Sequence, residues 1–280
     1  MPRQPKSPEE GSVDWNEMAA SFDRWLPYIQ AVGNALIDIA DISEGNKVLD
    51  VASGTGEPAL TLARRYRQQH IRVTGIDGAE AMVKRANEKA KADGLSQLRF
   101  YQMKAERLRF ADAQFDRVIS RFGVMLFDDP SRGIAEMFRV LKPGGKMAIA
   151  VWGEFRNIRS LYLIWEAIME ALPSKDRPPL PRIGRLGAPG QLEALLDAVN
   201  FASYEIKPLR VSYRFDHFED YWTLSTVSGL LKDPLDLLSS SQQRSIKKKV
   251  ENLSRAYREN GAWVFQNDAL MALAKKRGAG

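Results

Sequence analysis

The chain has 280 residues, 44% of them apolar and 27% charged, and it contains no cysteine. That length allows one large domain, or a core with a substantial insertion, and the missing thiol excludes disulfides, thiolate zinc sites, iron–sulfur clusters and cysteine nucleophiles. The formal charge of +6 is thinly spread, and its densest run, Lys247–Lys249 with Arg244 and Arg255 nearby, reads as a solvated helix face, so no nucleic-acid partner is expected.

Residues 1–14 begin MPRQPKSPEEGS, polar and proline-containing, the composition of a disordered lead-in. No apolar segment follows Met1 and no apolar run approaches the roughly 20 residues of a membrane span, so a cytoplasmic location is expected. Trp15, Met18, Ala19, Phe22, Trp25 and Leu26 recur at helical spacing until Pro27 interrupts, and a second helix is expected over Tyr28–Ile39. The stripe Trp15, Phe22, Trp25 suits either core packing or a flap over a ligand.

A strand–helix rhythm then begins. Strands are expected at Lys47–Val51, Arg72–Ile76, Leu98–Met103, Phe115–Ser120 and Lys146–Trp152. Helices are expected at Pro58–Arg67, about Ala79–Ala92 and Arg132–Leu141, the last followed by a turn, Lys142-Pro143-Gly144-Gly145. Beyond Trp152 the rhythm breaks. Leu161, Ile164, Trp165, Ile168 and Leu172 make a helical stripe, and Pro173–Pro189 is rich in Pro, Arg and Gly. Gln191–Val199 reads as a helix, Ser203–Phe215 as a strand and Phe218–Leu238 as aromatic and irregular. An amphipathic helix follows through Ile246, Val250, Leu253 and Tyr257, then a last strand at Trp263–Ala274. The fold class expected is α/β: a Rossmann-like doubly wound sheet, mostly parallel with an antiparallel last strand, under a helical and aromatic cap. Ligands bind such sheets at the carboxyl edge of the strands.

The informative stretch is Val48-Leu49-Asp50-Val51-Ala52-Ser53-Gly54-Thr55-Gly56-Glu57-Pro58-Ala59, a buried strand entering a small-residue turn, with Pro58 expected at the first position of a helix. Gly54–Ala59 fits the G-x-G-x-x-A dinucleotide pattern and Asp77 follows Gly56 by 21 residues, so an NAD(P)-linked oxidoreductase is a legitimate reading. Asp50 argues against it. Beside a pyrophosphate its carboxylate is repulsive, whereas beside an amino-acid ammonium or a sulfonium it is favourable. An acid before the loop, small residues within it and an acid after the second strand suit S-adenosylmethionine.

VLDVASGTGEP, GIDGAEAM, FDRVISRFGVMLFDDP and RVLKPGGKMAIAVW, in this order, resemble the class I S-adenosylmethionine-dependent methyltransferases, in particular the bacterial group around the ubiquinone and menaquinone C-methyltransferases. The resemblance covers Trp15–Trp152. It implies that Asp50 and the loop Ala52, Ser53, Gly54, Thr55 and Gly56 hold the methionine part of the cofactor, and that Asp77, with Gly78, takes the ribose hydroxyls. It places Met82 beside the adenine, Ala105 and Glu106 at the adenine edge, and Ser120, Arg121 and Phe122 along the methyl-transfer channel. S-adenosylhomocysteine is then the cofactor product. The chain departs from the family pattern at Ala52 and Ser53, where glycine is frequent, at Lys104, where an acid is common, and at Gly78 and Arg121, where polar or acidic residues are common.

On this reading residues 15–46 cover the cofactor site and 47–152 bind the cofactor. Residues 153–238 form the substrate cap interleaved with later sheet elements, and 239–280 complete the core. The reaction is an in-line displacement at the methyl group, with O-, N- and C-methylation all open, and it needs alignment and exclusion of water more than a strong base. His217 is the one candidate base, His70 reads as a surface residue, and Met125 and Phe127 as core. Asp128-Asp129-Pro130 reads as a helix cap, and no metal site is expected. Trp165, Tyr213, Phe215, Phe218, Tyr221 and Trp222 point to a small, hydrophobic, quinol-like or secondary-metabolite acceptor. Cytosine-5 and arsenic methylation need cysteine, and the motif of amino-methylating DNA enzymes is replaced by Ser120-Arg121-Phe122-Gly123. A binding protein of the same fold without turnover is a third reading.

Overall fold

The structure is a computed structural model and describes residues 13–227 and 230–279. The expected disordered lead-in lies, apart from Val13 and Asp14, outside the described residues. The single helix expected from Trp15 is split into α1 (Trp15–Met18) and a 3-10 turn, Phe22–Trp25. Asp14 caps α1 by accepting from the Asn16 and Glu17 N–H groups. Pro27 lies in the first turn of α2 (Leu26–Ile39), where a missing N–H leaves no bond unmade, so it starts a helix and does not interrupt one.

β1 (Lys47–Val51), α3 (Ala59–Arg65), β2 (Arg72–Asp77), α4 (Glu80–Ala92), β3 (Leu98–Gln102), β4 (Phe115–Arg121), α5 (Pro130–Val140) and β5 (Leu141–Trp152) follow the sequence reading closely. Two details differ. Pro58 occupies the cap position of α3, one residue before its first helical residue. The expected turn Lys142–Gly145 is absorbed into β5 as an irregularity, with Phe115 paired to Leu141 and regular pairing resuming at Arg117 and Lys146. Asp129 caps α5, accepting from the Arg132 N–H at 3.0 Å with Pro130 as the first helical residue.

The second half adds α6 (Arg159–Ala171), α7 (Gln191–Asp197), β6 (Phe201–Phe215), α8 (Phe218–Val227), α9 (Lys232–Asp236), α10 (Ser240–Ser254), β7 (Arg258–Glu259) and β8 (Ala262–Lys276). Phe218–Leu238, expected to be irregular, is thus helical where α8 and α9 lie. The main sheet runs β3-β2-β1-β4-β5-β8-β6, with β7 paired to β8. The first five strands pair in parallel, and β8 inserts antiparallel between β5 and β6, with Trp152 opposite Ala269 and Phe215 opposite Trp263.

β1 and β4 are neighbours although β2 and β3 intervene in sequence, so the strand order reverses between them and a crevice opens at their carboxyl ends. Both faces of β1, β4 and β5 are covered, so Val48–Val51, Val118–Arg121 and Met147–Trp152 are buried throughout. One core unites Val48, Leu49, Val118 and Ile149 with Ile164, Phe215, Tyr221 and Phe265, so the later elements pack on the same sheet as the earlier ones. Among the described residues no helix is long and apolar enough to cross a membrane.

Candidate active site

At the β1/β4 switch point the backbone is forced into uncommon conformations. Ala52 has φ +58° and Phe122 φ +59°, both left-handed and neither glycine. Such strain in the two loops that flank the crevice marks a place where geometry is held against local preference. The loops also touch. A Cβ on Gly123 would lie 2.5 Å from Ala52 Cβ and 2.7 Å from Ser120 Oγ, while that hydroxyl donates to the Val51 carbonyl at 2.8 Å. At Gly56, φ +111° excludes other residues, and a side chain there would meet Leu60 Cδ1 at 2.6 Å.

Asp77, at the end of β2, organises the loop. Its Oδ2 accepts from the Gly54 N–H and its Oδ1 from the Ala79 N–H, each at 2.9 Å. Burial raises its pKa and these N–H groups pull it back. Ser53 is held to the same strand through the Ile76 carbonyl, and Thr55 is fully buried. Asp50 is also fully buried: Oδ2 caps α3 by accepting from the Ala59 N–H at 3.1 Å, and Oδ1 has no partner. Burial pushes the Asp50 carboxyl up to about 8, against the pull of Arg121 and the Ala59 N–H. A buried carboxyl oxygen without a partner is costly, so Oδ1 is left with unused hydrogen-bonding capacity.

The remaining expected positions separate. Ala105 is buried and Gly78 exposed at the β2–α4 turn. Met82 is buried with Met18, Ala19 and Ala79 beneath the N-terminal segment. The Glu106 side chain, expected at an adenine edge, instead accepts from the Asp128 N–H at 2.8 Å and the Asp129 N–H at 3.4 Å, because the free N–H groups before α5 draw it there. Arg121 bridges the end of the glycine turn and α2: Nη2 donates to the Glu57 carbonyl at 2.9 Å and Nη1 lies 3.2 Å from where a Gly33 Cβ would project. His217 is exposed in the turn before α8.

The placement of Phe22 was left open by the sequence, and the group that fastens it was not legible there. The Phe22 ring lies 3.3 Å from where a Gly54 Cβ would project, so the N-terminal segment rests on the glycine turn. Asp23 fastens it, accepting from Thr55 Oγ1 at 2.5 Å, Lys89 Nζ at 2.7 Å and Arg85 Nε at 2.9 Å. Burial opposes ionisation of Asp23, and the bonds from Lys89, Thr55 and Arg85 outweigh it, so its pKa falls. No local pattern announces Asp23, since its partners lie 32 to 66 residues away.

The aromatic residues expected to line one pocket divide into groups. Tyr213 faces Tyr28 at 5.2 Å and both Trp25 and Trp152 at 6.2 Å between ring centres, and Phe122 stacks on Trp152 at 4.0 Å. Phe215 stacks on Tyr28 at 4.8 Å. Tyr221 instead packs on Phe265, with its hydroxyl donated to the Ser160 carbonyl at 2.7 Å, and Trp165 packs on Phe155. Phe218 lies among Tyr221, Trp222 and Trp263. Of the six, Tyr213 and Phe215 contact the N-terminal segment through Trp25 and Tyr28, and Phe215 also joins this group to Tyr221 at 5.4 Å. The spacing of Trp25 and Tyr28, three residues apart in the N-terminal segment, was the available signal for that contact.

A family profile described as a methyltransferase domain matches residues 48–145. A demethylmenaquinone methyltransferase of Renibacterium salmoninarum is 32% identical over 176 residues, which cover 57% of this chain and 68% of that protein. The chain belongs to the class I S-adenosylmethionine-dependent methyltransferase family, in its ubiquinone/menaquinone C-methyltransferase-like branch. A demethylmenaquinone methyltransferase of Deinococcus radiodurans is 44% identical over 103 residues, 37% of this chain and 42% of that one. The chain spans about half the length of several relatives in the family, 42%, 50% and 54% for three of them. The family fold recurs in YcgJ from Bacillus subtilis (TM-score 0.61, 19% identity, 89% of this chain and 100% of that one). It recurs also in the [4+2]-cyclase SpnF (TM-score 0.57, 24% identity, 98% and 90%).

Proposed function

We propose that the protein is a methyltransferase that uses S-adenosylmethionine to methylate a small, flat, largely hydrophobic acceptor of the quinol type. The observation that carries the reading is the pairing of a strained glycine turn with two acids: buried Asp50, with one unpartnered oxygen, and half-buried Asp77, on the loop N–H groups. These donors and acceptors fit a cationic, phosphate-free nucleoside. Asp50 faces its ammonium, the Ala52–Gly56 backbone takes the amino-acid part, and Asp77 offers its remaining lone pairs to the ribose. The cofactor supplies a methyl group made electrophilic by its positive sulfonium.

The chain's own residues then bind and align. The rings of Tyr28, Tyr213 and Trp152 offer flat apolar faces to an acceptor, and the N-terminal segment with Phe22 excludes water. The relatives named for demethylmenaquinone support a quinol-type acceptor. An NAD-linked reading is disfavoured by the buried acid at the first strand end, because a cationic ligand stabilises its ionised form whereas a pyrophosphate would oppose that ionisation.

The test is a turnover screen with methyl-labelled S-adenosylmethionine. Label is expected in naphthohydroquinones and related phenols. Transfer only to peptides or nucleic acids would overturn the acceptor class, and cofactor binding with no transfer to any acceptor would favour the binding-protein reading.

A further inference from the structure

We propose that Arg121 is the counter-charge of the acceptor site, its buried guanidinium receiving an ionised oxygen of a flat aromatic acceptor. The inference rests on the methyltransferase reading and gives a role to a buried cation that the reading leaves without a partner charge.

Arg121 ends β4 at the switch point and is 7% exposed. Nη2 donates to the Glu57 carbonyl at 2.9 Å and Nη1 reaches the Ile29 carbonyl at 3.5 Å, while Nε has no partner. Among the described residues no carboxylate lies within ion-pairing distance of it. The groups acting on it electrostatically from further away are Asp50, Glu57 and Tyr213 of β6. Neither acid compensates it well. Burial disfavours the ionised form of Asp50, and once ionised that carboxylate is taken by the cofactor's ammonium, while the Glu57 carboxylate is bound to Arg64 at 2.9 Å and to the Thr61 N–H at 3.0 Å. A buried guanidinium stays charged and is stabilised when an anion meets its free donor.

The surroundings define the rest of that anion. Tyr213, which acts on Arg121, is ringed by Trp25, Tyr28 and Trp152, and Phe122 follows Arg121 directly and stacks on Trp152. A negative oxygen on an aromatic ring satisfies both the donor and the walls. Trp25 and Tyr28 are half-buried, so the way in passes the same N-terminal segment that lays Phe22 on Gly54. In the transfer, the nucleophilic atom of the ionised acceptor bonds to the methyl carbon and the carbon–sulfur bond breaks with its electron pair left on sulfur. One positive and one negative charge cancel. Where a ring carbon is the nucleophile, its proton then passes to water. Arg121 holds the acceptor in its ionised form before that step.

The experiment measures kcat/KM against pH for 1,4-dihydroxynaphthalene and for ring-fluorinated analogues of lower pKa, at saturating labelled cofactor. S-adenosylhomocysteine affinity is measured in parallel. Arg121→Gln is expected to lower kcat/KM at pH 7 by about 30-fold or more, with cofactor-product affinity within about threefold of the parent. Its acidic limb moves to higher pH and follows the acceptor's own pKa, so the fluorinated rings recover most activity. Titration of Asp50, Tyr28 or Tyr213 would not follow the acceptor. Arg121→Lys, which keeps the charge, is expected to retain the parent limb. The proposal is overturned if the Gln profile superimposes on the parent, or if Lys and Gln lose activity equally with an unmoved limb. It is overturned too if Gln loses cofactor-product affinity in step with turnover. Parent protein that binds no S-adenosylhomocysteine overturns the underlying reading instead.

Discussion

The two flanks of the crevice are made of different materials. On the β1–β2 side the working groups are backbone N–H groups, glycines with positive φ, the buried Asp50 and the half-buried Asp77, all within Asp50–Ala79. On the β4–β5–β8–β6 side they are large rings and one guanidinium drawn from Trp25 to Phe215. The first kind of surface recognises a fixed chemical group through short-range chain geometry. The second is a packed wall whose shape depends on which side chains meet across the sheet. A family can therefore keep one flank for a common cofactor and vary the other for its acceptor, as fold alone does not fix chemistry.

The sharpest way to break that division is Gly56→Val. With φ +111° and Leu60 Cδ1 2.6 Å from the new Cβ, it is expected to cost about 3 kcal/mol or more of stability and to remove cofactor binding, read by thermal melting and calorimetry. Its counterpart is Phe215→Ala, which removes a buried ring from the other flank. A loss of about 3–5 kcal/mol is expected, with cofactor affinity below the melting temperature little changed and acceptor KM raised. If the Phe215 variant lost cofactor and acceptor together, the two flanks would not be separable.

Asp50 sharpens the comparison through pH. Its carboxyl, raised to about 8 in the folded chain from an ordinary 3.8, stays protonated while the unfolded chain ionises. The folded state then binds the extra proton, so stability falls as pH rises through the window from about 4 to 8. Asp50→Asn is expected to flatten that slope and to raise stability at pH 8 by on the order of 1–3 kcal/mol, while weakening S-adenosylmethionine binding about tenfold or more. Because a bound cation favours the ionised carboxylate, cofactor binding at pH 7 is expected to release a proton. Equal heats in buffers of different ionisation enthalpy would contradict this.

The smallest effect is expected at Asp23. Asp23→Ala frees Thr55, Arg85 and Lys89 from a partly exposed cluster and is expected to cost about 1 kcal/mol, while speeding cofactor exchange in stopped flow.

The legibility of the sequence follows the same division. The β1–β2 flank is local: strand, turn and acid lie within 30 residues, and the turn's small residues have few roles other than the one they play. The strands were equally readable because burial on both faces leaves unbroken apolar runs such as Met147–Val151. The bonds from the Asp128 and Asp129 N–H groups to Glu106 were not legible, because nothing in its neighbourhood announces partners 22 and 23 residues away. Tyr221 and Trp165 were read with Tyr213 since composition alone does not distinguish a ring in a core from a ring on a wall. The helices α8 and α9 were obscured by aromatic residues that satisfy packing from several directions at once.

Titration calorimetry with S-adenosylmethionine, S-adenosylhomocysteine and NAD addresses the cofactor flank most directly. One molecule of either sulfur nucleoside per chain and no heat with NAD is the predicted result. Heat with NAD alone, and silence with both sulfur nucleosides, would contradict the account.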